Sequence, residues 1–115
     1  MRLGAHVSIA GGLDRAIDRA QEIGAETIQM FASSSRGWAV RPVSSSQGEA
    51  FRKKAQDADI GPIFLHAIYL VNLGSPNPEN LGRSVQALIS YMQAAGELGA
   101  AGVIFHTGSH RGAGF

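Results

Sequence analysis

The chain has 115 residues, of which 44% are hydrophobic, 17% are charged and none is cysteine. These values fit one globular domain or part of one, and they exclude a disordered chain, a disulfide scaffold and any thiolate zinc site. Ten basic and nine acidic residues give a net charge of +1, which is not the strongly basic balance of a typical nucleic-acid-binding domain. Neither a signal peptide nor a membrane span is visible, so we expect a soluble, unprocessed, cytoplasmic protein.

Short apolar segments alternate with helical patterns, which is typical of parallel βα units. The predicted strands cover residues 3–7, 27–31, 63–66 and 103–106. Between the first two strands lies a helix that ends at Gly24. Its predicted inward face contains Leu13, Ala16, Ile17, Ala20 and Ile23.

Two further helices have clear end signals. Ser44 and Gln47 have capping-box spacing, and the helix they open stops before Gly61. Its predicted inward residues are Ala50, Phe51, Ala55 and Ala58. Asn77 and Pro78 begin the third helix, which ends at Gly99. The 3.6-residue period predicts that its inward positions are Leu81, Val85, Leu88, Ile89, Met92 and Leu98.

The resulting order, β-α-β-α-β-α-β, is the pattern of a TIM (βα)₈ barrel. A complete barrel needs roughly 250 residues. We therefore predict an α/β fold that is a partial barrel, with residues 1–115 forming the amino-terminal half of a single barrel domain.

Three of the four histidines follow apolar strands, at His6, His66 and His106. Catalytic groups of parallel α/β folds lie at the carboxyl ends of the strands, so these rings should meet at one rim. His66 and His106 are one βα unit apart, so they could bind one metal ion together. Neutral imidazole is a ligand that suits zinc. The alternative is that each ring is a hydrogen-bonded core residue. His106 and His110 have helical i, i+4 spacing, but Gly108 between them favours a loop.

Two predicted loops carry large side chains where polar residues are usual. The second loop contains Arg36 and Trp38, and the third contains Ile68, Tyr69 and Leu70. One interpretation is that they pack over the mouth of the barrel. The other is that they contact nucleic acid, since proteins insert arginines and apolar wedges into a duplex.

Three segments of the chain together resemble a known family. They are G-A-H-V-S-x-A-G-G at residues 4–12, H-x-x-Y-L-x-N-L-G at residues 66–74 and F-H-x-G-S-H at residues 105–110. The chain resembles the amino-terminal part of the endonuclease IV family of DNA-repair apurinic/apyrimidinic endonucleases. The resemblance implies a xylose isomerase-like TIM barrel with up to three zinc ions, which hydrolyses the phosphodiester bond 5′ to an abasic site in double-stranded DNA.

The resemblance also implies roles for individual residues. His66 and His106 match two zinc ligands of the family, Arg36 and Trp38 lie in a DNA-contacting loop, and Tyr69 and Leu70 match residues that push into the DNA. The remaining metal ligands, including the bridging carboxylates, belong to later strands, so the catalytic groups in this chain are unknown. The second loop also departs from the family by carrying three serines at 33–35.

Two histidines are too few for a catalytic zinc site, which generally has three protein ligands. We therefore expect residues 1–115 alone to bind metal weakly, to lack nuclease activity, and to associate with themselves or with the missing barrel half. Two alternatives remain: a metal-dependent sugar isomerase or epimerase of the same barrel superfamily, and a non-catalytic fragment that binds DNA or a partner chain.

Overall fold

The computed structural model describes residues 1–114. Strands and helices alternate along this part of the chain as β1 (Gly4–His6), α1 (Arg15–Glu22), β2 (Thr27–Met30), α2 (Ser45–Asp57), β3 (Ile63–His66), α3 (Pro78–Leu98) and β4 (Gly102–Ile104). This is the predicted element order. None of the helices within residues 1–114 has the length and hydropathy that a bilayer crossing requires.

The four strands form one parallel sheet in the order β1-β2-β3-β4. In this register His6 lies beside Gln29, Gln29 lies beside Phe64, and His66 lies beside Ile104. The sequential parallel order confirms the prediction of a partial barrel. Only β3 has the predicted bounds, and the other three strands differ by one or two residues at their ends. The difference that matters is in β4, which ends at Ile104, so that His106 lies two residues beyond the strand.

The two faces of the sheet have different surroundings. The helices cover the face that carries Ile28, Met30, Ile63 and Leu65, all of which are buried. The other face carries His6, Gln29, Phe64 and His66, which are exposed or half-buried. The radius of gyration is 15.1 Å, whereas a compact domain of about 100 residues has a value of about 13 Å. The described chain is therefore an open slab with one uncovered sheet face.

Local hydrogen bonds define the helix ends that the sequence predicts. The Ser44 hydroxyl accepts from the Gln47 backbone N–H at 3.2 Å, and the Gln47 side chain accepts from the Ser44 N–H at 3.1 Å, which completes the capping box. Asn77 Oδ1 accepts from the two N–H groups of Glu79 and Asn80. α3 ends at Gly99, where φ is +67°.

The predicted burial of several helix residues is wrong. Ile23 and Ala50 are exposed. In α3 the predicted inward residues Leu81, Val85, Ile89 and Met92 are between 38% and 59% exposed. The face of α3 that is buried consists of Ser84, Ala87, Tyr91, Ala94, Ala95 and Leu98. Three alanines on this face let α3 approach the sheet and α2 closely, and Tyr91 and Leu98 are buried on the same face, Leu98 as predicted.

Candidate metal site and nucleic-acid surface

Three histidine rings converge at the carboxyl end of the sheet. The ring centroids of His66 and His106 are 5.2 Å apart, and those of His6 and His66 are 6.1 Å apart. His6 and His66 are the last residues of β1 and β3, and the loop after β4 carries His106 to the same rim. The predicted convergence of these rings is therefore present, with His66 in the centre.

A backbone carbonyl sets the tautomer of the central ring. His66 Nδ1 lies 2.6 Å from the carbonyl oxygen of Ala67. A carbonyl can only accept, so Nδ1 carries the proton and Nε2 of the neutral ring keeps its lone pair. Metal-bound histidines commonly donate their other nitrogen in this way, which fixes the orientation of the ring. His66 is thus prepared to bind a metal through Nε2.

His6 has a different hydrogen-bonding state. Gln29 Nε2 donates to His6 Nδ1 at 2.8 Å, so neutral His6 carries its proton on Nε2. Burial lowers the pKa of His6, and the neighbouring His66 lowers it further. This ring therefore presents an N–H donor at the rim, whereas His66 presents an acceptor.

Phe31 forms an apolar wall beside these rings. Its ring centroid is 4.8 Å from that of His6 and 5.8 Å from that of His66, both in edge-on geometry. Neither Phe31 nor Gln29 was identified as a site residue from the sequence. The available signal was their alternation along the second strand, which places both on the same face as His6 and His66.

The donor set fits part of a zinc site. Zinc binds imidazole nitrogens, and two imidazoles lie next to each other at the rim. The hydrogen bond from His66 to the Ala67 carbonyl fixes the orientation of the His66 ring. Within residues 1–114, however, no group of three or more His, Asp or Glu side chains is arranged to hold a metal ion. The described residues therefore match an incomplete metal site, which needs ligands from elsewhere.

His110 does not extend a helical metal motif. Residues 105–114 contain no helix, and His110 Nδ1 accepts from the backbone N–H groups of Gly112 and Gly114 at 3.1 and 3.0 Å. Its ring thus organises the turn that follows it. The predicted loop is confirmed in this segment.

The large loop residues divide into packed and exposed groups. Ile68 is fully buried, and Trp38 and Leu70 are half-buried against the core. Arg36 is exposed, and Tyr69 is 72% exposed. Packing over the core therefore accounts for three of these side chains, and Arg36 and Tyr69 are free to contact another molecule.

The loops at the carboxyl ends of the strands are basic. We define the rim loops as residues 7–14, 31–44, 67–77 and 105–114. They contain the arginines Arg36, Arg41 and Arg111, and a single acidic residue, Asp14. Asp14 is paired with Lys54 at 3.3 Å. The rim loops therefore attract anions, although the net charge of the whole chain is small.

Known proteins match both the sequence and the structure. The sequence pattern described as xylose isomerase-like TIM barrel matches residues 17–115. A protein from Cenarchaeum symbiosum (strain A) named "Probable endonuclease 4" is 40% identical over 116 residues, which cover 99% of this chain and 41% of that protein. A relative of the same name from Methanoculleus marisnigri is 41% identical and is matched over 40% of its length.

Two solved structures have the same arrangement of strands and helices. Endonuclease IV from Thermus thermophilus matches with a TM-score of 0.88 and 39% identity, over 95% of this chain and 41% of that one. D-psicose 3-epimerase from Clostridium cellulolyticum matches with a TM-score of 0.65 but only 15% identity, over 91% of this chain and 37% of that one. The epimerase likeness concerns the fold alone. The chain spans about two-fifths of the length of these relatives.

Proposed function

Because the chain belongs to the xylose isomerase-like TIM barrel family and resembles its endonuclease IV members along nearly its whole length, we propose that it is the amino-terminal part of a zinc-dependent apurinic/apyrimidinic endonuclease. Its substrate would be double-stranded DNA with an abasic site, cleaved on the 5′ side of the lesion. The observation that carries the proposal is the pair His66 and His106, 5.2 Å apart at the rim. The proposal includes a cytoplasmic location.

His66 and His106 would hold one zinc ion together with ligands from the remainder of the barrel. A zinc ion held there would supply a water whose pKa is lowered to about 7, and so a hydroxide at neutral pH. In this chain the Ala67 carbonyl accepts from Nδ1 of His66, so that the neutral ring has its lone pair on Nε2. His6, through its Nε2–H, would donate to a phosphate oxygen beside the metal.

The basic rim loops would contact the DNA backbone. The exposed Arg36 would pair with a phosphate, and the exposed ring of Tyr69 would enter the duplex at the lesion. Trp38 and Leu70 are half-buried, so we propose that they shape the two loops and touch DNA with their exposed parts. An abasic nucleotide is the easiest to extrude, because no base pair must be broken.

The basic rim favours DNA over a sugar as the substrate. The likeness to D-psicose 3-epimerase rests on 15% identity and therefore on the fold. Three arginines in the rim loops suit the phosphates of DNA better than the uncharged hydroxyl groups of a sugar. A non-catalytic role for the isolated chain is compatible with the proposal, because two imidazoles do not complete a zinc site.

A chimaeric protein tests the proposal. Residues 1–115 would replace the matching two-fifths of Thermus thermophilus endonuclease IV, and cleavage of an abasic duplex would be measured with and without a chelator. We expect chelator-sensitive cleavage 5′ to the lesion. The His66→Ala chimaera should lose this activity, and the chimaera with Ile23→Ala, an exposed residue at the opposite end of the sheet, should retain it. A folded chimaera that does not cleave, or whose activity survives His66→Ala, would contradict the proposal.

A further inference from the structure

Asn72 joins two of the rim loops through its side-chain amide. Asn72 Oδ1 accepts from the Ser109 backbone N–H at 2.9 Å, and Asn72 Nδ2 donates to the Ser109 carbonyl at 3.0 Å. Both backbone groups of Ser109 are therefore bound by one side chain. Asn72 belongs to the loop after β3, and Ser109 belongs to the loop after β4.

Ser84 in α3 holds the backbone of Asn72 in place. The Asn72 backbone N–H donates to the Ser84 hydroxyl at 2.9 Å, and this hydroxyl donates to the Asn80 carbonyl at 2.8 Å. Ser84 is completely buried. Asn72 Oδ1 also accepts from the Gly74 N–H at 3.0 Å, which fixes the direction of the side chain. The connection thus runs from a buried helix position to the loop after β4.

Two glycines provide the space for this contact. A Cβ atom on Gly108 would lie 2.1 Å from Asn72 Oδ1, and φ at Gly108 is +92°. A Cβ atom on Gly74 would lie 3.2 Å from the Ser109 carbonyl carbon. The close approach of the two loops therefore depends on these glycines as well as on the amide.

The position of His106 depends on how its loop is anchored. The last contact of the sheet before it is the Ala67 N–H, which donates to the Ile104 carbonyl at 2.8 Å. The next anchor is Ser109, bound by Asn72. His106 lies between these two anchors, beyond the end of a three-residue edge strand. A change at either anchor would move its ring relative to His66.

We infer that Asn72 is a positioning residue, which holds the His106 ring beside His66 by binding the backbone of Ser109. The inference rests on the proposed function in so far as the two rings serve as metal ligands. In this inference Asn72 acts through the backbone of the loop and is not itself a metal ligand. Aspartate in its place would direct a carboxylate oxygen at the Ser109 carbonyl, so only an amide satisfies both backbone groups.

The test compares Asn72→Asp with Asn80→Ala in the 115-residue chain. Asn80 is an exposed asparagine in the first turn of α3, so its truncation controls for the loss of an amide. NMR would measure hydrogen exchange of the Ser109 amide, the nuclear Overhauser effect between the His66 and His106 rings, and the affinity for Zn²⁺ alone. In Asn72→Asp we expect about tenfold faster exchange, a weaker ring contact and roughly tenfold weaker Zn²⁺ binding. Asn80→Ala should behave as the parent chain.

The outcomes separate this inference from the proposed function. Unchanged Ser109 exchange, or an unchanged ring contact and Zn²⁺ affinity despite faster exchange, would overturn the positioning role alone. A parent chain that does not bind Zn²⁺ would contradict the proposed metal site, and the ring contact would then decide the positioning role by itself. Should Asn72→Asp fail to fold, Asn72→Gln keeps both amide groups but displaces them by one methylene, and intermediate losses are expected. Far-UV circular dichroism and thermal unfolding would show that the variants keep the parent fold.

Discussion

Two neighbouring imidazoles at the rim present opposite hydrogen-bonding groups. His66 donates through Nδ1 to a carbonyl and so has Nε2 free to bind a metal, whereas His6 accepts at Nδ1 from Gln29 and so carries a proton on Nε2. One ring is therefore suited to a cation and the other to an anion. A phosphate would accept a hydrogen bond from Nε2–H of His6, while Nε2 of His66 would bind a metal ion.

Tyr69 is the residue whose removal tests DNA contact most cleanly, because its exposed ring contributes little to the core. Tyr69→Ala should weaken binding to an abasic duplex by roughly tenfold, and leave the melting temperature of the protein unchanged. Fluorescence anisotropy with a labelled abasic duplex would measure the affinity. Ile23→Ala is the matched control, since Ile23 is exposed at the opposite end of the sheet. Equal affinity of Tyr69→Ala and the parent chain would remove Tyr69 from the DNA surface.

The sequence could predict the histidines but not their hydrogen-bonding partners. His66 and His106 are recognisable because the carboxyl ends of parallel strands share one edge, which requires only strand positions in the chain. Gln29 and Asn72 act across 23 and 37 residues of sequence. Their partners depend on the strand register and on loop paths, which local patterns do not determine.

At the scale of elements, the contact between α2 and α3 depends on a glycine. A Cβ atom on Gly48 would lie 2.4 Å from the Glu97 carbonyl oxygen, which also accepts from the Arg52 guanidinium. Glycine lets the two helices approach at this point. The gain in packing outweighs the low helix propensity of glycine.

Replacing Gly48 and Gly82 with alanine should therefore change the free energy of unfolding in opposite directions. Gly48→Ala should destabilise the protein by about 1–3 kcal/mol, because the methyl group overlaps a backbone oxygen. Gly82 lies on the exposed side of α3, where a Cβ atom would have no neighbour within 4 Å, and Gly82→Ala should stabilise by about 0.5–1 kcal/mol. Urea unfolding would measure both free energies. A stabilising Gly48→Ala would contradict the close approach of the helices.

An ion pair joins α1 to α2 and should make stability depend on pH. Lys54 Nζ lies 2.9 Å from Asp18 Oδ1, and Lys54 lowers the pKa of Asp18. A depressed carboxyl pKa contributes stability above the unfolded-state pKa, and this contribution is lost as the pH falls through the folded-state pKa. Asp18→Asn should thus lower the melting temperature slightly at pH 7, and the difference should begin to shrink near the unfolded-state pKa of about 4 and vanish only below the lowered pKa of Asp18. Glu49→Gln, on the exposed side of α2, should show no such trend, and a pH-independent difference for Asp18→Asn would contradict the pairing.

The burial of α3 could be predicted only in part. A 3.6-residue period identifies an apolar face, and α3 has two: one that combines alanines with Tyr91 and Leu98, and one of residues such as Val85 and Ile89. The row of aliphatic side chains on the second face suggests the inward face. The buried face is the one with the alanines, because their small size lets α3 approach its neighbours closely while Tyr91 and Leu98 join the core.

The whole molecule has several uncovered surfaces. β1 and β4 are the edges of the described sheet, one sheet face is uncovered, and α3 carries large exposed apolar side chains, as do Ile104 and Phe105. Unpaired strand edges and exposed apolar side chains of this kind mark sites of association. In a solution of the purified chain, the available partner is a second copy.

We therefore expect concentration-dependent self-association of the 115-residue chain. The double variant Ile89→Lys, Met92→Lys should shift the chain towards the monomer, because it places two charges on the exposed face of α3. Gln86→Lys, an exposed neighbour in the same helix, is the control for added charge. Sedimentation velocity would measure the masses. A parent chain that stays monomeric and unfolds cooperatively at all concentrations would contradict this expectation.

The central claim is that His66 and His106 bind one metal ion together. Its most direct measurement is a titration of the 115-residue chain with Zn²⁺, in which ¹⁵N NMR follows the imidazole nitrogens of both residues. We predict that the two signals shift together at one ion per chain, with an affinity weaker than that of a three-ligand site. The shift should disappear in His66→Ala and in His106→Ala and persist in His110→Ala. Separate saturation of the two rings, or unchanged binding after loss of either one, would contradict the account.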